Sequence, residues 1–176
     1  YPFKGLNARL KEADFTFGNL ECAVSDRGSP LPGKGIWLRA RPEVMGELNN
    51  CGFDILSVAN NHSLDYDTEA FLDTLNYINR SGILSVGGGV DIMEARQPRI
   101  VESNGLTMGF LAYTEMADMI WSYQYPRKLK ATDTIPGLAP FEYESILQDV
   151  RNLNRYVDFV VLSLHWGTEY AHAPSS

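Results

Sequence analysis

At 176 residues, 44% of them apolar and 21% charged, the chain has room for one domain with a substantial core, which argues against disorder and fibrous repeats. Its 15 basic and 22 acidic residues give a formal charge of −7, which argues against a nucleic-acid partner bound by displacing counterions. No apolar run approaches the ~20 residues of a membrane span, and two cysteines, Cys22 and Cys51, are too few for a disulfide scaffold.

Asp14 to Phe17 predicts a short β-strand that runs into Gly18-Asn19-Leu20-Glu21. Residues 25–34 collect Gly, Pro, Ser and Asp and predict a surface loop. Pro42 suits a first helical turn and Gly52 the left-handed position after a last one, so a helix is expected between them. Asp54 to Val58 is a compact apolar run that delivers the chain to Asn60-Asn61-His62. Asp67 is placed to cap the next helix, where Phe71, Leu75 and Ile78 recur at i, i+4 and i+7 as one buried stripe ending at Gly82.

Ile83 to Val86 predicts another strand, followed by Gly87-Gly88-Gly89 and a short helix around Ile92 to Ala95. Asn104-Gly105 between two apolar runs predicts an antiparallel hairpin of strands 98–101 and 106–113. Residues 115–140 read as a long irregular segment carrying Trp121, Tyr123 and Tyr125, aromatics expected to anchor it to the sheet. A helix over about 141–155 should bury Ile146, Val150 and Leu153, and the apolar run from Asp158 to Leu164 reads as a strand covered on both faces. Alternating strands and helices predict an α/β class with a largely parallel sheet plus one hairpin.

Three predicted strands end in side chains able to bind metal or move protons: Asn19 and Glu21; Asn60, Asn61 and His62; and His165 with Glu169 behind it. Ligands of open α/β sheets bind beyond the carboxyl ends of strands, where such side chains converge. Glutamate oxygen, amide oxygen and imidazole nitrogen make a mixed donor set suited to Mn, Fe or Zn more than to Mg or Ca. Each group also has a structural reading, since Asn-Asn is a turn former and a histidine after a strand is often a hydrogen-bonded core residue.

Asn19-Leu20-Glu21, Asn60-Asn61-His62-Ser63-Leu64-Asp65-Tyr66 and His165-Trp166-Gly167-Thr168-Glu169-Tyr170 together resemble, in order and context, the motif set of the CapA family of capsule and poly-γ-glutamate biosynthesis proteins. The resemblance implies a calcineurin-like metallophosphatase fold, a layered sandwich of helices on mixed β-sheets. It implies that Asn61 and His165 bind metal, that Glu21 bridges two ions, and that His62 protonates a leaving group or steadies an oxyanion. Asn19, Asn60, Asp65, Glu169 and Tyr170 would support those ligands or touch substrate.

Members of the family also carry an earlier Gly-Asp motif and a later Gly-His-x-Pro-His motif. Their absence here leads us to expect an internal piece of a single domain over residues 1–176, truncated at both ends. Such a piece should bind metal weakly or not at all, and an unpaired sheet edge should favour self-association. Asp67 stands where the resemblance places Gly.

Among the remaining features, the three glycines at 87–89 lack the Lys-Ser/Thr of a phosphate loop and are expected to form a tight turn. Lys34, Arg39 and Arg41 beside Trp37 form a basic cluster, either a solvated surface or a contact for an anionic polymer or phosphoester substrate. Cys22 is expected to be packing. Three readings of function stay open: a metal-dependent phosphoester hydrolase of surface-polymer metabolism, a non-catalytic assembly or export component of the capsule-synthesis machinery, and a metal-free small-molecule binder. The resemblance places the domain outside the cytoplasm, at the cell surface.

Overall fold

The computed structural model of the protein describes residues 3–168 and 171–172. Helix α1 (Asn7–Glu12) leads into β1 (Phe17–Asn19), and the short pair β2 (Ala23–Val24) and β3 (Arg39–Ala40) brackets the loop of residues 25–34. Next come α2 (Val44–Cys51), β4 (Ile55–Ser57), α3 (Asp67–Arg80) and β5 (Leu84–Val86). As expected, α2 stops at Gly52, whose φ of 88° is the left-handed conformation that a residue without Cβ adopts freely. Strands β1, β4 and β5 pair in parallel with β4 in the centre, so their carboxyl ends emerge along one edge.

A second sheet follows β6 (Gly88–Gly89) and α4 (Ile92–Ala95). Strands β7 (Arg99–Ser103) and β8 (Leu106–Thr114) form the expected hairpin, with Asn104 and Gly105 at φ of 52° and 76° as an inverse-twist turn demands. After α5 (Tyr143–Leu153), β12 (Phe159–His165) pairs with β8 in parallel, giving the order β12–β8–β7. The single, largely parallel sheet read from the sequence is therefore, among the described residues, two three-stranded sheets with three short two-stranded pairs beside them.

Side-chain alternation explains why. Ile55, Val86, Phe110 and Ala112 point from the two sheets into one shared core, and Phe17 stacks on Phe110 with ring centroids 5.7 Å apart. Leu56 and Val58 turn the other way, toward Phe71, Leu75 and Ile78 of α3 and Met45 and Leu48 of α2. On the far side Leu111 and Tyr113 pack on Ile146 and Leu153 of α5. The layers thus run helix, sheet, sheet, helix, and each fully buried Leu, Ile or Phe contributes about 1.5–3 kcal/mol of transfer free energy. At Gly87, φ is 87° and an added Cβ would lie 2.6 Å from that of Ala59 and 2.8 Å from that of Ala112, so only glycine lets these segments touch.

Four further expectations need correction. Residues 115–140 are not irregular throughout: a 3₁₀ turn (Glu115–Asp118) precedes a hairpin of β9 (Ile120–Ser122) and β10 (Tyr125–Lys128), and β11 (Gly137–Leu138) pairs with β6. Pro126 and the polar sequence of β10 mask the strand signal, as edge strands often do. Trp121 of this segment packs on the main core, but Tyr123 is 98% exposed and anchors nothing. Among the described residues β12 is paired on one side only, and Phe159 (55% exposed) and Leu162 (38%) meet solvent where burial on both faces is expected from the sequence. Finally, Asp67 is not the cap of α3; that position falls to Tyr66, which makes no side-chain capping bond.

Candidate active site

Beyond the carboxyl ends of β1 and β4, Asn60 is the organising residue. It is fully buried, and its amide Nδ2 donates to Asn19 Oδ1 at 2.9 Å and to the Leu20 carbonyl at 3.0 Å. Its Oδ1 accepts from the His62 backbone N–H and the Ser63 hydroxyl, both at 3.0 Å. The bonds to the Leu20 carbonyl and the Ser63 hydroxyl are buried, so the amide locks the two strand-end loops together. Asn19 passes the constraint on: its Nδ2 donates to Glu21 Oε2 at 2.8 Å and turns that carboxylate toward the edge.

Asn61 faces the second sheet. Its Oδ1 lies 3.0 Å from His165 Nε2, and His165 Nε2 lies 3.9 Å from Glu21 Oε1. His165 is held by β12 in register with Thr114, whose hydroxyl donates to the His165 carbonyl at 3.0 Å. Just beyond, the Gly167 N–H donates to Glu115 Oε1 at 2.7 Å. Glu21, Asn61 and His165 share a cleft of about 220 Å³ with Met116 and Trp166. Among the described residues no three His, Cys, Asp or Glu gather around one point. Asn61 is therefore what completes an O, O, N donor set drawn from three separate strand ends. Carboxylate, amide carbonyl and imidazole are the donor chemistry of a borderline divalent ion, so the residues fit such a group and leave coordination positions open.

His62 opens on a second cleft, of about 230 Å³, that Asn61 lines together with the first. Its Nδ1 is 2.7 Å from Asp65 Oδ2. Asp65 is fully buried and also accepts from the Leu38 N–H at 2.6 Å and from Lys34 Nζ. A carboxylate already receiving these donors is an acceptor toward His62 as well, which places the proton on Nδ1 and leaves Nε2 unprotonated.

Lys34 is the site residue that sequence reasoning underrated. Read as part of a solvated basic cluster, it is 6% exposed, bonds Asp65 and the Asn61 carbonyl (2.5 Å), and sits 4.4 Å from the Trp121 ring centroid. Its signal was the pairing of one lysine in a Gly-Pro loop with the aspartate of the Asn-Asn-His motif, which only the fold brings together. Arg39 behaves otherwise. Its guanidinium donates to the Arg27 carbonyl and lies 3.4 Å over the Tyr66 ring, and neither Arg39 nor Arg41 lines the two clefts. Cys22 packs against the main core, and its thiol is pushed up, first by burial and then by Asp65, as suits an inert packing residue. Glu169 and Tyr170 lie outside the described residues.

The profile of the family described as Bacterial capsule synthesis protein PGA_cap matches residues 1–176. The chain belongs to that family. Relatives include the PGA biosynthesis protein CapA of Bacillus subtilis, 26% identical over 98% of this chain and 44% of that protein. The capsule biosynthesis protein CapA of Bacillus anthracis is 27% identical over 99% of this chain and 42% of its own length. The chain thus spans less than half the length of these relatives. A Staphylococcus aureus crystal structure assigned as a 5'-nucleotidase, in complex with alpha-ketoglutarate, superposes with a TM-score of 0.57 at 14% identity, covering 96% of this chain and 33% of its own. That likeness bears out the metallophosphatase-like layered fold read from the motifs, and the family match bears out the CapA resemblance.

Proposed function

We propose that this chain carries part of the active site of a metal-dependent phosphoester hydrolase that serves capsule or poly-γ-glutamate biosynthesis at the cell surface. The observation that supports it best is the meeting of Glu21, Asn61 and His165, from three strand ends, beside the His62–Asp65 pair. Glu21, Asn61 and His165 would hold a divalent ion (Mn, Fe or Zn), which when bound supplies Lewis acidity and an activated water. A second ion, which the family resemblance implies, would need further ligands. The chain's own residues do the rest. Asp65, held by Lys34 and the Leu38 N–H, fixes the His62 ring with Nδ1 on the carboxylate. His62, taking up a second proton at Nε2 from solvent while Nδ1–H stays on Asp65, is then the group that hands that proton to the departing oxygen of an anionic substrate.

The reading is tested with Mn(II) and bis-p-nitrophenyl phosphate. Metal-dependent turnover that falls by about 10²–10⁴ in His62→Ala is expected, the usual share of a general acid. Absence of turnover in the wild type would turn the reading toward a polymer-binding assembly component of the capsule machinery, another role that the family's names allow.

A further inference from the structure

Asp67 sits at the start of α3 with φ of 61°, a conformation that costs any residue with a Cβ and that aspartate tolerates better than most. Such strain persists where surrounding contacts hold it. Here they are specific. Asp67 Oδ1 accepts from the Thr68 N–H at 2.7 Å and from Arg127 Nε at 2.8 Å, and its Oδ2 accepts from the Tyr125 hydroxyl. Arg127 continues to Thr68 Oγ1 at 2.9 Å and to the Pro136 carbonyl at 3.0 Å. Burial opposes ionisation of Asp67, yet these donors hold its carboxyl below the ordinary carboxylate value.

Tyr125 and Arg127 belong to β10, and β10 pairs with β9, which carries Trp121. The Trp121 ring covers Lys34 and forms a wall of the cleft onto which His62 opens. The hairpin is seated without clearance on the loop of residues 25–34, since a Cβ at Gly33 would come within 2.1 Å of the Trp121 carbonyl oxygen. We propose that Asp67 is a positioning residue for the candidate site: it clamps the β9–β10 hairpin and so sets where Trp121 lies over Lys34 beside His62. The proposal deepens the hydrolase reading, because the wall so placed would bound the substrate.

The test uses Asp67→Gly and Asp67→Asn in the whole chain, read by hydrogen–deuterium exchange. Glycine adopts a φ of 61° freely, so any loosening in that variant comes from the lost carboxylate and not from the backbone. Asparagine keeps the left-handed turn and one acceptor oxygen. Exchange over residues 119–128 is expected to quicken about tenfold in Asp67→Gly and less in Asp67→Asn, with residues 71–78 of α3 unchanged. Unchanged exchange over 119–128, or an equal rise throughout α3, would overturn the proposal. With Mn(II) and bis-p-nitrophenyl phosphate, Asp67→Gly should raise KM about fivefold and change kcat less than about twofold; an unchanged KM in a loosened variant would overturn it too. A wild type without turnover would sink the hydrolase reading and leave the exchange result to decide the clamp.

Discussion

His165 Nε2 lies 3.0 Å from Asn61 Oδ1 although 104 positions separate the two in sequence. The contact crosses from one sheet to the other. Asn61 leaves the first sheet just after β4, and His165 is the last residue of β12 in the second. Both strands run in parallel with a neighbour, β1 or β8, so each sheet delivers its polar termini to the same rim. The shared core of Ile55, Val86, Phe110 and Ala112 sets the spacing between those rims. Packing, and not local sequence, is what makes the two side chains neighbours.

Asn60 should matter more to stability than its neighbour Asn61. Asn60→Ala removes an amide that joins β1 to β4 and strands buried partners, which should cost about 2–4 kcal/mol. Asn61→Ala removes a half-exposed cleft residue and should cost less than about 1 kcal/mol. Urea denaturation of the two variants compares them directly. Equal losses would mean that Asn60 does not organise the rim.

Lys34 and Asp65 form a buried pair whose partners depend on each other. Lys34→Met leaves a fully buried carboxylate without its ammonium and should destabilise by about 3–5 kcal/mol. Lys34→Met combined with Asp65→Asn should recover a large part of that loss, since the second change removes the stranded charge. A double-mutant cycle by chemical denaturation checks it, and simple additivity of the two single losses would contradict the pairing.

Acid should weaken the fold through two surface clamps. The hydrogen bond from Arg27 holds the Asp73 carboxyl below its ordinary value, and that from Lys130 does the same for Glu142. A group more acidic folded than unfolded lends stability above its unfolded pKa, about 4 for carboxylates, and loses it as pH falls through the lower folded value. The melting temperature should therefore decline below about pH 4, and less steeply in Asp73→Asn. An identical slope in that variant would remove Asp73 from the account.

Much of the fold was legible because its signals are local. Pro42 and Gly52 bracket α2, the Phe71–Leu75–Ile78 stripe marks α3, and Asn104-Gly105 marks the hairpin. What escaped was set by tertiary context. An apolar run reads the same in a central or an edge strand, so the sequence alone predicts burial of β12 on both faces. Trp121 and Tyr125 gave no sign that a hairpin joined them. The site divides in the same way. Asn61, His62 and His165 were visible as strand-end polar residues, and the structure brings Asn61 and His165 together. Lys34 was not visible, because nothing in a Gly-Pro loop announces that its lysine will be buried against Asp65. Asp67 looked like a minor turn residue until its φ and its partners on β10 were seen.

The central claim is that Glu21, Asn61 and His165 form one cation-binding group beside His62. Calorimetric titration of Mn(II) into the wild-type chain, His165→Ala and Asn61→Ala tests it most directly. The account predicts weak, saturable binding at one site in the wild type, because three protein donors leave coordination positions open, and about a tenfold or greater loss in each variant. Binding of equal strength in all three proteins, or no heat of binding in any, would contradict it.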